Sequence, residues 1–257
     1  MTELLFVFLF ASISSAQKTV DGFAARTYKT MPYRLFIPAN YDTTRKYPLI
    51  LWLHGAGSVG NDNFKQISGA SLRGTHTWTS PQVQAKYPAF VLAPQCPLGR
   101  SWTNSRTSQP NPELLLVLEI LDAVKNEFRI DADRIYVAGQ SMGGYGTWSL
   151  ITAKPDLFAA AVPLCGGGDA SRAALIAKIP IWAFHGEADP IVPVTESRNM
   201  IAAIQRAGGG PRYTEYEGVG HEVWFKAFQE RDLVDWLFAQ HRKQGTHRRG
   251  AENAKVF

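Results

Sequence analysis

Residues 135–144 of the chain, IYVAGQSMGG, decide its fold. An apolar run rich in β-branched residues stops at Gly139, and a stretch with helical spacing begins at Gly143. A serine between two such glycines sits on a tight turn from strand to helix, where larger side chains two positions away would collide with neighbouring backbone. The segment therefore predicts that Ser141 is a nucleophile. A glycine-rich turn with a serine that caps the helix is the alternative.

The rest of the chain alternates between two patterns. Runs of apolar, β-branched and aromatic residues predict strands at 34–37, 48–53, 90–93, 135–139, 160–164, 181–184 and 213–216. Apolar residues at helical spacing predict helices at 113–128, 143–153, 195–207 and 223–241. Such alternation is typical of an α/β fold, with a mostly parallel sheet covered by helices on both faces. In a parallel sheet the reacting groups gather where the strands end, at the carboxyl edge.

A serine nucleophile needs a base, and the base needs an acid that orients it. Asp189 lies in a loop directly after the predicted strand 181–184, and His221 lies in a glycine-containing loop after the last strand. We therefore predict Asp189 as the acid and His221 as the base. Asp169 and Glu187 are competing carboxylates, although an ordinary loop carboxylate that caps the next helix explains either of them.

Five other histidines compete with His221 for the role of base: His54, His76, His185, His241 and His247. His54 and His185 each end a core strand before a glycine, which favours a role in packing and loop hydrogen bonding. The remaining three precede the serine or lie in or beyond the last helix. None of the five follows the acid on a strand-end loop, so His221 stays the prediction.

The third part of such a site is a pair of backbone N–H groups that stabilise the negative charge of a tetrahedral intermediate. We predict the amide of Met142 as one donor, because it follows the nucleophile. Residues 54–57, HGAG, end a predicted core strand, and we predict the amide of Ala56 as the second donor. A plain glycine turn is the alternative explanation for this segment.

Length and composition fit one globular domain. We predict no cofactor and no metal site, since the spacing of Cys96 and Cys165 suits no zinc site. The chain has 257 residues, of which 45% are hydrophobic and 19% charged, and no linker or repeat divides residues 17–241. Its net charge of +5 owes much to the segment 242–249, RKQGTHRR. We predict residues 242–257 to be a solvated, disordered tail, and not a nucleic-acid site, since no aromatic and basic platform accompanies it.

The first sixteen residues resemble a secretory signal. They are apolar from Leu4 to Ala11 and end in small residues before Gln17. The apolar run is shorter than the roughly 20 residues that span a bilayer, so no membrane anchor is predicted. Export to the periplasm or outside the cell follows from this interpretation. The leader lacks Lys and Arg and carries Glu3, which is unusual for a signal peptide. The alternative is that the segment is a buried first strand or follows from a misassigned start codon. The protein would then be cytoplasmic.

The motifs together resemble the α/β-hydrolase superfamily over residues 23–240. Three segments, 33–38 (YRLFIP), 133–144 (DRIYVAGQSMGG) and 162–169 (VPLCGGGD), are similar to its feruloyl and acetylxylan esterase branch and to neighbouring peptidases with prolyl-oligopeptidase-like catalytic domains. The resemblance implies an α/β-hydrolase fold with a mostly parallel sheet of eight strands in the order 1-2-4-3-5-6-7-8. It also implies a Ser141–Asp189–His221 triad.

Two further expectations depend on that strand order and on loop length. Cys96 and Cys165 would lie three strand spacings apart, about 14 Å, which exceeds the reach of a disulfide, so we predict two free thiols. About fifteen residues separate Cys165 from the next strand. They leave no room for a lid domain, which argues against long-chain lipid substrates.

The candidate substrate contacts are aromatic. Trp78 and Trp102 lie in long loops and could floor a groove, with the nearby basic residues Arg73, Arg100 and Arg106. Trp224, three residues after His221, could shape the acyl pocket. Each of these tryptophans is also explained as a residue that seals the core.

The sequence thus predicts a serine carboxylic-ester hydrolase that forms an acyl-enzyme with short-chain esters or with feruloyl and acetyl esters of plant polysaccharides. A serine exopeptidase for small peptides is one alternative, because acyl transfer to water uses the same groups. A non-catalytic carbohydrate-binding module on the same fold is another. The sequence does not determine the oligomeric state.

Overall fold

The computed structural model describes residues 19–104 and 110–242. The predicted leader 1–16, Arg106, His247 and the tail beyond Arg242 lie outside the described residues. The first residue of the predicted tail is described: the Arg242 guanidinium lies 2.8 Å from a carboxylate oxygen of Asp133. The domain boundaries at 16/17 and 241/242 stay predictions.

Within the described ranges the chain forms nine strands, all in one sheet. They are β1 (Thr19–Val20), β2 (Phe23–Tyr28), β3 (Met31–Phe36), β4 (Tyr47–Leu53), β5 (Phe90–Pro94), β6 (Ile130–Gln140), β7 (Ala160–Leu164), β8 (Trp182–Gly186) and β9 (Arg212–Tyr216). Their order is β1-β2-β3-β5-β4-β6-β7-β8-β9, with parallel pairing from β5 to β9 and antiparallel pairing among β1, β2, β3 and β5. Without the two-residue β1, this is the predicted order of eight strands.

The described helices are α1 (Leu72–Thr79), α2 (Pro81–Lys86), α3 (Pro112–Glu127), α4 (Met142–Ala153), α5 (Ala173–Ile176), α6 (Thr195–Arg206), α7 (Trp224–Ala227) and α8 (Leu233–Phe238). The prediction of one final helix over 223–241 is wrong, because α7 and α8 are separate. The run 229–232, QERD, has no apolar side chain to bury between them, and its Glu230 instead accepts a hydrogen bond from the Tyr216 hydroxyl at 2.6 Å.

The central strands explain why two cores form. Every residue of β4 is buried, because helices cover both faces of the sheet. Successive side chains of a strand point to opposite faces, so Leu49 and Leu51 join one core while Ile50 and Trp52 join the other. The first core includes side chains of α3, α4, α5 and α6, and the second includes side chains of α1, α7 and α8.

The expectation that Trp78 and Trp102 floor an open groove is corrected by their burial. Both side chains are 0% exposed. Trp78 packs edge-on against Phe228 at 5.8 Å, and the Trp102 indole donates a hydrogen bond to the carbonyl of His54 at 2.9 Å. Both aromatic rings are thus buried in the protein interior, which is usual for a large apolar side chain in a globular fold.

Three other features bear on the sequence predictions. Cys96 and Cys165 are free thiols, as predicted from their strand positions, and the structure shows that both are buried. Between β7 and β8 the described chain holds only a 3₁₀ turn, Ala170–Arg172, and the four-residue α5, so no lid domain is inserted there. None of the helices within the described ranges is both long and apolar enough to cross a membrane.

Candidate active site

Ser141 lies at the turn between β6 and α4. Its backbone has φ 54° and ψ −118°, a conformation that costs free energy for any residue with a Cβ. The turn is held because the Ser141 amide donates to the carbonyl of Leu164 on β7 at 2.9 Å. The fold therefore enforces a strained backbone that lifts the serine side chain out of the carboxyl edge of the sheet.

The glycines around Ser141 are required by close backbone contacts. A Cβ added to Gly143 would lie 1.9 Å from the carbonyl oxygen of Leu53, and one added to Gly144 would lie 2.3 Å from that of Leu164. A Cβ on Gly139 would lie 2.4 Å from the Gly143 oxygen. The elbow is thus wedged between the ends of β4 and β7, and each of these positions admits only hydrogen.

His221 bridges the serine and a carboxylate. Its Nε2 lies 2.8 Å from the Ser141 hydroxyl and its Nδ1 lies 2.7 Å from an oxygen of Asp189. These distances suit a tautomer in which the hydroxyl donates to Nε2 and Nδ1–H donates to the carboxylate. The structure brings the three predicted residues together in the order that proton transfer from serine requires; their catalytic roles stay predictions.

Asp189 is held as a carboxylate by its own loop. Its second oxygen accepts hydrogen bonds from the amides of Ile191 at 2.8 Å and Val192 at 2.9 Å. Burial alone would raise the pKa of Asp189, but the hydrogen bonds from His221, Val192 and Ile191 outweigh it and hold the pKa below its ordinary value. A buried side chain that stays charged next to His221 can stabilise the imidazolium that forms when serine gives up its proton.

The two competing carboxylates have other partners. Asp169 accepts a hydrogen bond from the Ser171 amide at 3.0 Å and begins a 3₁₀ turn, which is the capping role considered for it. Glu187 accepts from the Gly218 amide at 3.1 Å and so supports the histidine loop. In the part of the chain that the structure describes, neither is hydrogen-bonded to His221.

The histidine loop is anchored to the strand that carries the acid. A Cβ on Gly186 would lie 2.3 Å from the carbonyl oxygens of Val219 and Gly220, so the loop rests directly on the end of β8. Gly218 has φ +65°, a left-handed conformation that favours glycine. Trp224 is 4% exposed and stands edge-on to the His221 ring at 5.6 Å. It therefore buttresses the base from the core and exposes almost no surface to shape an acyl pocket.

The described histidines other than His221 have structural partners. His54 is fully buried: its Nδ1 lies 2.7 Å from the Gly55 carbonyl, its Nε2 accepts from the Cys96 amide at 3.0 Å, and burial lowers its pKa to about 4. His185 contacts the Ser197 hydroxyl at 2.7 Å and the Val192 carbonyl at 3.0 Å. His76 lies 3.5 Å from Asp21, and His241 lies near the Ala239 carbonyl.

Both predicted oxyanion donors begin a helical turn. Met142 is the first residue of α4, and Ala56 is the first residue of a 3₁₀ turn, Ala56–Ser58, after β4. First-turn amides have no acceptor within their own helix, so they remain available to an external oxygen. A Cβ on Gly143, the next residue of α4, would meet the carbonyls of Leu53 and His54, so the two helical starts are close neighbours.

Cys165 is a residue near the site to which the sequence assigned no role. It follows β7 with φ 39°, and its sulfur lies within 4.8 Å of ligand atoms of both Asp189 and His221. These three are the one cluster of potential metal ligands among the described residues. A thiol binds metal as the thiolate, and burial raises the pKa of Cys165, so the protonated thiol fits a packing role better. The sequence signal that could have placed Cys165 near the site is its position directly after β7, the strand next to β6.

The fold and the site define an α/β-hydrolase esterase. The family described as "Putative esterase" matches residues 24–190, well over half of the chain, and the chain belongs to that family. It is a carboxylic-ester hydrolase.

The chain is similar to one curated relative and one solved structure that are named as esterases, and to one relative without an assigned activity. A protein named probable feruloyl esterase C from Aspergillus terreus is 30% identical over 210 residues, 76% of this chain and 74% of the relative. An uncharacterized secreted protein of Arthroderma benhamiae is 26% identical over 81% of this chain and 24% of its own length. The crystal structure of a thermostable esterase has a TM-score of 0.83 and 44% identity over 86% of this chain, which spans 64% of that protein.

Proposed function

We propose that the chain is a serine esterase that works through an acyl-enzyme on Ser141. His221 takes the hydroxyl proton as the serine oxygen attacks the ester carbonyl, and Asp189 stabilises the resulting imidazolium. The amides of Met142 and Ala56 donate to the oxyanion. His221 then protonates the departing alcohol, and a water that it activates hydrolyses the acyl group. The supporting observation is the unbroken hydrogen-bond chain from serine to carboxylate, at 2.8 Å and 2.7 Å.

A fluorophosphonate probe tests the nucleophile directly. We expect the wild-type protein to gain the mass of one phosphonyl group and to lose ester hydrolysis in parallel, with the label on the peptide that contains Ser141. Ser141→Ala should take no label. Ser171→Ala is the matched control, because its exposed hydroxyl donates only to Asp169, and it should label like wild type. Labelling of Ser141→Ala at the wild-type rate would exclude the proposal.

For the substrate, we propose feruloyl, acetyl and other short-chain esters, including those linked to plant polysaccharides. The similarity to feruloyl esterase C supports the aromatic acid. The buried Trp78 and Trp102 cannot supply an aromatic contact, but Phe225, four residues after His221, is 41% exposed, and the Arg73 guanidinium lies 5.9 Å above its ring. We propose this pair as the aromatic side of the substrate site.

One panel of substrates separates the candidates. Acetyl and butyryl p-nitrophenyl esters should be hydrolysed faster than the palmitoyl ester, because a site without a lid encloses few methylenes. Phe225→Ala should lower kcat/KM for methyl ferulate several-fold while hydrolysis of p-nitrophenyl acetate stays the same. Equal losses on both substrates would remove Phe225 from the proposal. Aminoacyl anilides cleaved faster than all esters would favour the exopeptidase.

We also propose that the protein is exported after cleavage of residues 1–16. The apolar leader supports this, as does the similarity to a relative named as a secreted protein. Expression of the full chain followed by amino-terminal sequencing of the product in the medium or periplasm should give Gln17 as the first residue. A cell-associated product that still begins at Met1 would contradict it.

A further inference from the structure

A cavity of about 430 Å³ opens at the amino edge of the sheet, where β8 and β9 begin. It is lined by the segment 177–181 before β8, the glycine turn 208–210, and Arg212, Trp236 and Gln240. Its volume falls in the range of about 300–1,000 Å³ that small-molecule sites occupy. Ser141 follows the carboxyl end of β6, so the cavity and the triad lie at opposite edges of the sheet. The strand β8, which begins at the cavity, has five residues and is about 16 Å long.

Arg212 is held above two indole rings. Its guanidinium lies 4.7 Å from the centre of the Trp182 ring and 6.0 Å from that of Trp236, and the two rings meet edge-on at 5.4 Å. A guanidinium stacked on an aromatic face keeps its N–H donors in its own plane, free to engage a carboxylate with two hydrogen bonds. The stacking also fixes the cation in place, so binding an anion costs less side-chain entropy.

Among the described residues, no ion pair balances the positive charge in this cavity. Lys178 and Arg212 are the charged residues among the described lining, and neither forms an ion pair with any described residue. No carboxylate appears in that lining. The partly buried ring of Trp236 adds an aromatic wall beside the two cations.

The glycine turn shapes the opening. A Cβ on Gly209 would lie 2.5 Å from the carbonyl oxygen of Ala177, so the turn packs tightly against the segment before β8. A Cβ on Gly210 would meet nothing within 4 Å, and Gly210 has no left-handed backbone conformation. The space above Gly210 is therefore open, and a side chain placed there would enter it without moving the fold.

We propose that this cavity binds a uronic acid residue of an acidic polysaccharide. The sugar carboxylate pairs with Arg212 and Lys178, and the apolar face of the sugar ring stacks on Trp236. An aromatic wall beside cations fits a ligand that is both a ring and an anion, whereas a neutral sugar would leave both cations unpaired. The site is separate from Ser141, and it would hold the enzyme on a charged polymer while leaving the triad free to act.

Binding is measured by calorimetry with a xylan oligosaccharide that carries glucuronic acid, using the inactive Ser141→Ala chain so that the outcome does not depend on catalysis. The matched ligand is the same oligosaccharide after reduction of its carboxyl group to an alcohol. We expect the acidic ligand to bind at least 10-fold more tightly than the reduced one.

Two variants test the site. Arg212→Ala should weaken binding of the acidic ligand at least 10-fold, and Gly210→Asp should abolish it, because the new carboxylate repels the ligand. Gly210→Ala and Arg129→Ala are the controls, the second because Arg129 is a cation away from this cavity; both should bind like wild type. In the chain with Ser141 intact, each variant should hydrolyse p-nitrophenyl acetate at the wild-type rate, which shows that it folds.

Three results would overturn the proposal. They are unchanged binding in Gly210→Asp, equal affinity for the acidic and the reduced ligand, and an affinity for a single-stranded oligonucleotide that matches the acidic sugar and is equally sensitive to Arg212→Ala. The last would make the cavity a general anion or nucleic-acid site.

Discussion

The elbow that carries Ser141 and the loop that carries His221 are positioned by different forces. Backbone carbonyls of β4 and β7 enclose the elbow, so that a Cβ on Gly143 would come within 1.9 Å of Leu53. The loop has open space at Gly220, where a Cβ would meet nothing within 4 Å. Steric confinement on several sides thus fixes the nucleophile, whereas the histidine loop packs on β8 on one side only, and the hydrogen bond to Asp189 orients the ring of the base.

The largest effect is expected where the two regions are joined. Asp189→Asn should lower kcat about 10⁴-fold, because an amide favours the imidazole tautomer that cannot accept the serine proton. The midpoint of urea unfolding should change little, which would show that the histidine loop is still folded in the variant. Steady-state kinetics with p-nitrophenyl acetate measure the effect.

Asp169→Asn and Glu187→Gln are the controls for this variant. Asp169 caps a 3₁₀ turn and Glu187 supports the loop backbone, so either change should cost less than 10-fold in kcat. A larger loss in Asp169→Asn than in Asp189→Asn would move the acid to Asp169.

A pair of glycine variants tests the contrast between the elbow and the loop. Gly143→Ala should lower the free energy of unfolding by about 4 kcal/mol or more and abolish activity, since backbone must move to admit the methyl group. Gly220→Ala should change it by less than about 0.5 kcal/mol. Urea unfolding followed by tryptophan fluorescence gives both values. Similar losses in the two variants would show that the loop is as confined as the elbow.

The strand end that supports the elbow should be sensitive to acid. His54 is neutral with a pKa of about 4 against an ordinary value of 6.5, because burial disfavours the charged ring. Between pH 6.5 and pH 4, His54 therefore binds a proton in the unfolded chain but stays neutral in the folded protein. Stability is fully present above pH 6.5 and falls as the pH drops toward 4, by about 2 kcal/mol between pH 7 and pH 5.

The pH effect is measured by urea unfolding of wild type and His54→Asn at both pH values. The variant has no ring to titrate, so its loss between pH 7 and pH 5 should be smaller by about 2 kcal/mol. Equal losses in the two proteins would mean that His54 does not control this dependence.

Apart from the near-neutral Gly220→Ala, the smallest effect belongs to the turn of the histidine loop. Gly218 has φ +65° and open space around its Cβ position, so Gly218→Ala meets only backbone strain. We expect a loss of about 1 kcal/mol in unfolding free energy and a modest fall in kcat. A more stable variant would show that the loop adopts another backbone conformation.

Some of these features could be predicted from local sequence. The elbow was predictable because its glycines, its serine and the strand before them are contiguous, and each responds to backbone constraints within a few residues. The free cysteines followed from the strand order that the resemblance to the α/β-hydrolase superfamily implies. The strands β1 and β2 were missed, since β1 has only two residues and Ala24-Ala25-Arg26 in β2 offers no run of β-branched or aromatic residues. The split of the last helix was missed because apolar residues stand on both sides of 229–232, and the polar run between them contains neither Gly nor Pro to mark a break.

The tryptophans show where local sequence fails. Trp78 and Trp102 stand in connections after strands, and a connection is usually on the surface. Whether such a side chain turns inward depends on which helix lies beneath it. Here Trp78 packs against Phe228, and the Trp102 indole donates a hydrogen bond to the carbonyl of His54. Phe225 was not predicted as a substrate contact, because its position next to Trp224 gave no sign that its side chain is exposed.

The sequence by itself determined the fold class and the identity of the serine, acid and base candidates, because periodicity and chain order carry that information locally. The order of the eight main strands came only from the resemblance to the α/β-hydrolase superfamily. Only the tertiary structure decided that His221 reaches both Ser141 and Asp189, that the tryptophans are interior, and that Arg212 stands above Trp182 and Trp236 in an open cavity. Those facts depend on distances between residues far apart in the chain, and such distances are set by how strands and helices pack.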